Sequence, residues 1–215
     1  MDVGVIGDEK ALVQVMEPLT AATLEAESMA ARDFPGFALR NVLRKVDDQD
    51  AVVPVMQAFL DGLEHRDSTM RTYCAHGLHE NVSKIRDQAV LTSMVGPLTA
   101  AALQVDDSET KGLGAGGLAF SALKQVLDKV DDQAALRSII PPMARALEAR
   151  YVKRRRYAAH AVMLFAHKVR DKAALASLRQ PLVTAHFSDP DRKVRDSAGL
   201  ALKRTFGQVP KPKSP

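Results

Sequence analysis

The chain of 215 residues has no tryptophan and a single cysteine, Cys74. One cysteine excludes an internal disulfide, and the lack of a disulfide framework favours a reducing, intracellular compartment, so we expect a cytoplasmic protein. Aromatic residues make up only 5 % of the chain, and alanine, leucine and valine supply most of the apolar mass. Ala and Leu are strong helix formers. The composition therefore suits closely packed helices, with Cys74 as a buried and unreactive thiol.

Several features that would indicate other classes of protein are missing. No apolar stretch reaches the roughly 18 residues of a membrane span, and the N-terminus lacks the pattern of a signal peptide. His76, His79 and Glu80 do not form the His-Glu-x-x-His zinc motif. The glycines between 112 and 117 follow no predicted strand, which a phosphate-binding loop requires. We expect no enzymatic activity, cofactor or metal.

One short pattern recurs five times along the chain: an apolar β-branched residue is followed two positions later by an aspartate, and apolar residues stand three and four positions after that aspartate. The successive aspartates are 40, 39, 45 and 39 residues apart. A period near 40 is typical of stacked helical repeats. The aspartates are Asp8, Asp48, Asp87, Asp132 and Asp171.

The period predicts one all-α solenoid over residues 1–206, a right-handed superhelix of about five helix pairs. We call these units one to five, beginning near residues 6, 46, 85, 130 and 169. Residues 207–215 are rich in proline and lysine and are expected to form an extended tail. Unit three is the longest and contains the glycines, so a hinge is expected there.

Each aspartate precedes apolar residues at helical spacing, which predicts a first helix with the aspartate as its N-cap. Ten positions after the aspartate, four units carry a proline that should bend this helix. These prolines are Pro18, Pro97, Pro142 and Pro181.

A second helix is predicted after a short acidic turn. Near its start lies a basic residue that could bond the acidic turn of the neighbouring unit and form a ladder along the stack. The predicted ladder consists of Arg32, Lys111, Arg156 and Arg195, with Asp189 as an acidic partner. Tyr73 with His76, and Tyr157 with His160, occupy matching positions in units two and four, where packing is the favoured interpretation.

This arrangement resembles the HEAT-repeat family, most closely over residues 181–206, where Pro181, Asp189, Val194, Arg195 and Ala198 follow the motif. Residues 145–162 and 169–206 are similar to the N-terminal HEAT region of fungal-type translation elongation factor 3. Members of that family use the region to contact the ribosome or its factors, which would imply such a partner here. The family's ATP-binding cassettes are absent from this sequence, so the resemblance implies no ATP-driven role.

Charge is divided unevenly along the chain. Counted from Lys, Arg, Asp and Glu, the net charge is −8 over residues 1–107 and +12 over residues 108–215. Because units stack, the basic turns of units four and five should form one patch. Its expected members are Arg150, Lys153, Arg154, Arg155, Arg192 and Lys193, with Lys203 and Arg204 extending it.

These observations predict a non-enzymatic scaffold or adaptor that binds a protein partner, through an acidic patch or helix, as a subunit of a larger assembly. The alternative is an RNA- or ribosome-associated factor that uses the basic half. A repeat-built DNA glycosylase is disfavoured because the chain has no tryptophan. Val3, Val5 and Ile6 leave the first repeat without a polar cap, so packing of this repeat on another subunit is expected.

Overall fold

A computed structural model of the chain describes residues 8–26, 28–104 and 114–207. These residues form an all-helical structure without strands. The helices are α1 (Glu9–Leu24), α2 (Met29–Lys45), α3 (Gln49–Gly62), α4 (Ser68–Asn81), α5 (Gln88–Leu103), α6 (Ala115–Lys129), α7 (Gln133–Ser138), α8 (Ile140–Leu147), α9 (Val152–Phe165), α10 (Lys172–Ser188) and α11 (Arg192–Phe206).

Consecutive helices pack in neighbouring pairs, an arrangement compatible with an α-solenoid. α1 packs on α2, α3 on α4, α5 on α6, α8 on α9 and α10 on α11. First helices also contact first helices of the next pair, and second helices contact second helices, as in α2 with α4 and α9 with α11. Two layers of helices result, with the core between them.

The recurring aspartates stand at helix N-termini. Asp8, Asp48, Asp87, Asp132 and Asp171 have extended backbones, and each side chain accepts a hydrogen bond from a backbone N–H of the following turn. The Asp132 carboxylate, for example, lies 2.7 Å from Ala135 N. A carboxylate here satisfies a helical N–H that has no partner within the helix and meets the positive end of the helix dipole.

The apolar positions after each aspartate face the core. The residue four positions along is buried in every unit: Leu12, Val52, Leu91, Leu136 and Leu175. Eight positions along, Met16, Met56, Val95 and Ile140 are buried. The fifth unit has Arg179 at that position, exposed, with its guanidinium 5.8 Å from the ring centroid of Phe206.

The prolines act differently in unit four from elsewhere. Pro18, Pro97 and Pro181 lie inside continuous helices. In unit four the first helix is divided into α7 and α8, and Pro141 and Pro142 open α8. Two adjacent residues without N–H groups interrupt the helical hydrogen bonds. The first helix of unit four therefore breaks at this point instead of bending.

Some predictions fall outside the described residues. Lys111, Val3, Val5, Ile6 and the tail beyond Gly207 are among them. In unit three, Gly114 is the N-cap of α6, and Gly116 and Gly117 are buried in its first turn. None of the described helices combines the length and apolar character needed to cross a lipid bilayer.

Candidate functional site

The basic turns of units four and five lie side by side because α9 packs on α11. The Arg155 guanidinium joins them by two bonds to the Asp189 carboxylate, from Nε to Oδ2 at 2.6 Å and from Nη2 to Oδ1 at 3.2 Å. Its Nη1 donates to the carbonyl oxygens of Ala149, at 2.9 Å, and Arg150, at 2.7 Å. Every nitrogen of this guanidinium is therefore bonded inside the protein.

This geometry corrects the prediction that Arg155 serves a binding partner. Its side chain is 12 % exposed and that of Asp189 is 5 % exposed. The pair spans two units, which is the ladder role predicted for Arg156. A buried, doubly bonded ion pair holds the turns in register, and four of the five N–H donors of Arg155 are bonded inside the protein.

Arg156 also links the two units. It forms an ion pair with Asp191, the N-cap of α11, with Nε 2.9 Å from Oδ1. The hydrogen bond from Arg156, with help from the N–H of Val194, lowers the pKa of the Asp191 carboxyl to about 2. The cap therefore stays charged at neutral pH.

The cations left on the outside of these turns define what we call the basic edge. Arg150, Arg192 and Lys193 are exposed, and Lys153 and Arg154 are half-buried. The Arg154 guanidinium lies 5.5 Å from the ring centroid of Tyr151. Arg192 approaches Asp196 at 3.5 Å, but both side chains are largely exposed, so water weakens that pair.

Lys203 and Arg204 stand at the far end of α11 from the basic edge. They lie in the last turn of α11, roughly 17 Å along the helix axis from Arg192 at a rise of about 1.5 Å per residue. Arg204 instead donates to the carbonyl of Met163 on α9, at 3.4 Å. That these two residues extend a wider basic patch stays a prediction.

The ladder arginines share a hydrogen-bond pattern to the turn that precedes their own helix. Arg71 Nη1 donates to the carbonyls five and six residues earlier, at 3.0 and 2.8 Å. Arg195 does the same at 2.9 and 2.7 Å. Arg32 bonds the carbonyl six residues earlier, at 3.4 Å, and lies 3.6 Å from Asp67 of unit two. By this pattern the described part of the ladder is Arg32, Arg71, Arg155 and Arg195.

A signal in the sequence could have identified Arg155 as the ladder residue. Units two and four share the pattern Arg-x-Tyr-x-Ala-His, beginning at Arg71 and at Arg155. A count of 24 residues from the capping aspartate selects Arg156, which also bonds unit five, and not Arg155, because in units two and four this arginine lies 23 residues after the aspartate. Alignment on the tyrosines avoids this error.

A column of lysines that the sequence analysis did not single out also joins the units. Three residues before the aspartate, units three to five carry Lys84, Lys129 and Lys168. Each ammonium donates to backbone carbonyls near the junction with the preceding unit, as in Lys168 to Leu127 at 2.8 Å and Lys84 to Val46 at 2.9 Å. The signal was present in the recurring sequence Lys-(Val/Ile)-x-Asp.

A third column consists of glutamines directly after the aspartates. Gln49, Gln88 and Gln133 each donate to a backbone carbonyl of the next unit, at distances of 3.1, 3.3 and 3.2 Å. Gln49 and Gln133 also accept from a backbone N–H there. Side-chain bonds of this kind satisfy backbone groups between units.

The tyrosine–histidine pairs belong to the packing of the second helices. Tyr157 stacks on Phe120 with ring centroids 4.3 Å apart, and Phe120 also meets His160 edge-on. Burial lowers the pKa of His76 and of His160. It also raises the pKa of the Cys74 thiol to about 12, so this cysteine is a thiol at neutral pH.

Comparisons with known proteins identify no relative. No model of a known protein family matches the chain, and no curated protein matches it. Among the described residues, no group of three or more His, Cys, Asp or Glu side chains is placed to hold a metal ion. The features available for a functional argument are therefore the surfaces themselves.

Proposed function

We propose that this chain is a non-enzymatic binding scaffold, a right-handed HEAT-like solenoid of five units that works as a subunit of a larger assembly. Its basic edge binds an acidic surface or helix of a protein partner. Solenoids of stacked units present extended surfaces of this kind.

The proposal rests on a difference among the cations of units four and five: some are bonded within the protein and others are exposed. Arg155 and Arg156 are bonded to Asp189 and Asp191 within the protein. Arg150, Arg192 and Lys193 are exposed on one edge beside these two ion pairs. A fixed cluster of like charge raises the local concentration of an anionic partner and speeds its association.

A second candidate, an RNA- or ribosome-associated factor, is favoured by one observation. Tyr151, which follows Arg150 in the chain, is exposed and has the Arg154 guanidinium 5.5 Å from its ring centroid. An exposed aromatic side chain among cations is a platform on which a base can stack. Tyr151 is a single ring, however, and an acidic protein surface can bind the cations of the basic edge without stacking on an aromatic side chain.

Binding measured by fluorescence anisotropy would separate the two candidates. The probes are a labelled peptide rich in aspartate and glutamate and a labelled oligouridylate, each titrated at several salt concentrations. The variant replaces Arg150, Arg192 and Lys193 by glutamine. Lys203→Gln is the matched control, because Lys203 is an exposed cation at the opposite end of α11.

We expect the acidic peptide to bind the wild-type protein and the control alike, and the triple variant at least about tenfold more weakly. Tighter binding of oligouridylate, with a steep salt dependence lost in the triple variant and in Tyr151→Ala, would favour the RNA-associated function instead. Absence of binding to either probe at low salt would remove the basic edge as a binding site.

A further inference from the structure

A cavity of about 280 Å³ lies between α2 and α4, far along the chain from the basic edge. Its lining comes from α2 and from the first half of α4 and consists of Arg32, Asp33, Phe37, Arg40, Thr69 and Tyr73. Two of these residues are arginines, two are aromatic and one, Asp33, is acidic. The cavity therefore combines polar walls, in which cations outnumber the carboxylate, with aromatic walls, in a volume suited to one side chain.

Arg32 is the unusual member of the lining. It is 5 % exposed, yet its Nε and Nη1 atoms have no hydrogen-bond acceptor among the described residues. Only Nη2 is engaged, with Ala26 O and Asp67. Buried guanidinium groups normally have their N–H groups bonded, since an unmet donor is costly in a dry environment.

Arg155 provides the comparison within the same molecule. It occupies the same ladder column, but all of its guanidinium nitrogens are bonded to Asp189 or to the preceding turn. The ladder role therefore does not explain the two unmet donors of Arg32. An acceptor from outside the described residues would complete its coordination.

The aromatic wall formed by Tyr73 is held firmly. The Tyr73 hydroxyl donates to the carbonyl of Gly36 at 3.0 Å, and its ring meets Phe59 edge-on. Gly36 permits this approach, since a Cβ there would lie 3.0 Å from the Tyr73 ring. The tyrosine is consequently a preformed wall and not a mobile lid.

Two phenylalanines stand exposed beside the cavity. Phe37, which lines it, is 63 % exposed, and Phe34 on the same helix is 86 % exposed. In a chain with only seven phenylalanines, two neighbouring exposed rings form an apolar patch of the kind that marks interaction sites. The patch offers a partner apolar contact next to the cationic cavity.

We propose that this cavity binds the carboxylate of an aspartate or glutamate in a partner protein, with a neighbouring apolar residue of that partner packed on Phe34 and Phe37. Arg32 supplies the unmet donors, which are buried in this structure and reach the carboxylate by a turn of the side chain. Arg40 adds a second positive charge, which it shares with Glu80 at 3.5 Å. The site lies on a surface separate from the basic edge and does not depend on the function proposed for it.

The charge of this half of the chain favours a protein partner over a nucleic acid. Residues 1–107 have a balance of −8, which repels a polyanion at long range. A peptide segment with a single carboxylate carries one negative charge, so the net negative charge of this half repels it much less than it repels a polyanion. The local cations can therefore select it.

The test is an NMR titration that observes the Arg32 Nε–H signal, assigned with Arg32→Lys. The probes are the capped tripeptide Leu-Glu-Leu and its counterpart Leu-Gln-Leu. Arg40→Gln and Phe37→Ala alter the cavity and keep Arg32. Arg44→Gln is the matched control, because Arg44 and Arg40 both pair with Glu80, at 3.4 and 3.5 Å, but only Arg40 lines the cavity.

We expect the glutamate peptide to shift the Arg32 signal and the glutamine peptide to leave it in place. Arg40→Gln and Phe37→Ala should each weaken binding about tenfold, equivalent to about 1.4 kcal/mol, whereas Arg44→Gln should not. The proposal is overturned if neither peptide shifts the signal at millimolar concentration or if both shift it equally.

Two further outcomes would also overturn it. A shift of the same signal by oligouridylate would assign the site to phosphate. A shift caused by Glu27→Gln without any peptide would show that the chain's own carboxylate fills the cavity; Glu27 lies outside the described residues.

Discussion

Gly77 in α4 lies directly against the ring of Phe59 in α3. A Cβ at this position would come within 2.3 Å of Phe59 Cε2 and 2.7 Å of Cδ2. Phe59 is itself almost fully buried, so its ring has little space into which it could move. The absence of a side chain at this one residue allows α3 and α4 to approach.

Gly77→Ala should therefore lower the free energy of unfolding by about 1–3 kcal/mol, the usual cost of overpacking a core. Gly96→Ala is the control, because a Cβ there meets no atom within 4 Å outside its own stretch of helix. That change should alter stability by less than about 1 kcal/mol, since the helix preference of alanine is offset by the crowding of its Cβ against the following Pro97. Urea unfolding followed by circular dichroism measures both. Equal stability of Gly77→Ala and wild type would show that the Phe59 ring can swing aside.

At the scale of elements, the units are joined by three columns of side chains in addition to apolar packing. The arginines bond turns, the lysines bond the carbonyls at the ends of second helices, and the glutamines bond the backbone of the next unit. Each column repeats with the period of the chain. Stacking therefore fixes the register of neighbouring units through polar bonds as well as through shape.

Asp189→Asn tests the strongest of these links. The substitution removes the charge that Arg155 requires in a nearly buried pair, and breaking such a pair costs about 3 kcal/mol. Asp196→Asn is the matched control, because its partner Arg192 is 84 % exposed and exposed pairs contribute less than about 1 kcal/mol. Chemical denaturation of both variants provides the comparison. Similar small losses would mean that the Arg155–Asp189 pair contributes no more than a surface pair.

The elements also show where local signals are sufficient. The capping aspartates and the apolar spacing predict where first helices begin, because capping and helical periodicity act within one turn. The division between α7 and α8 was not predicted. The spacing of the prolines predicts only a bend at Pro142, but the adjacent Pro141 removes a second N–H and the helix breaks there.

At the scale of the whole molecule, each helix pair contacts mainly its neighbours. Stability in such a structure is close to a sum of local terms, so a lesion in one unit should not weaken distant units equally. Charge is also distributed along the chain: the acidic half contains the cavity lined by Arg32, and the basic half contains the basic edge.

Leu182→Ala, in the core of α10, should therefore unfold only part of the molecule more readily. Loss of this fully buried side chain costs about 2–5 kcal/mol. We expect hydrogen exchange to accelerate in α8 to α11 and to stay unchanged in α1 to α4. Leu200→Ala is the control, because Leu200 is 49 % exposed. Uniform acceleration along the chain would instead indicate a single cooperative unit.

The sequence by itself determined the helical repeat, the aspartate caps and the positions of the core residues, because these depend on short-range spacing and on the preferences of single residues. Only the tertiary structure decided that Arg155 is bonded inside the protein and that Arg32 keeps two unmet donors. Both arginines occupy the same column of the repeat, so the pattern treats them alike. Their difference comes from the distance and number of acceptors brought to each by the neighbouring unit, which no local spacing contains.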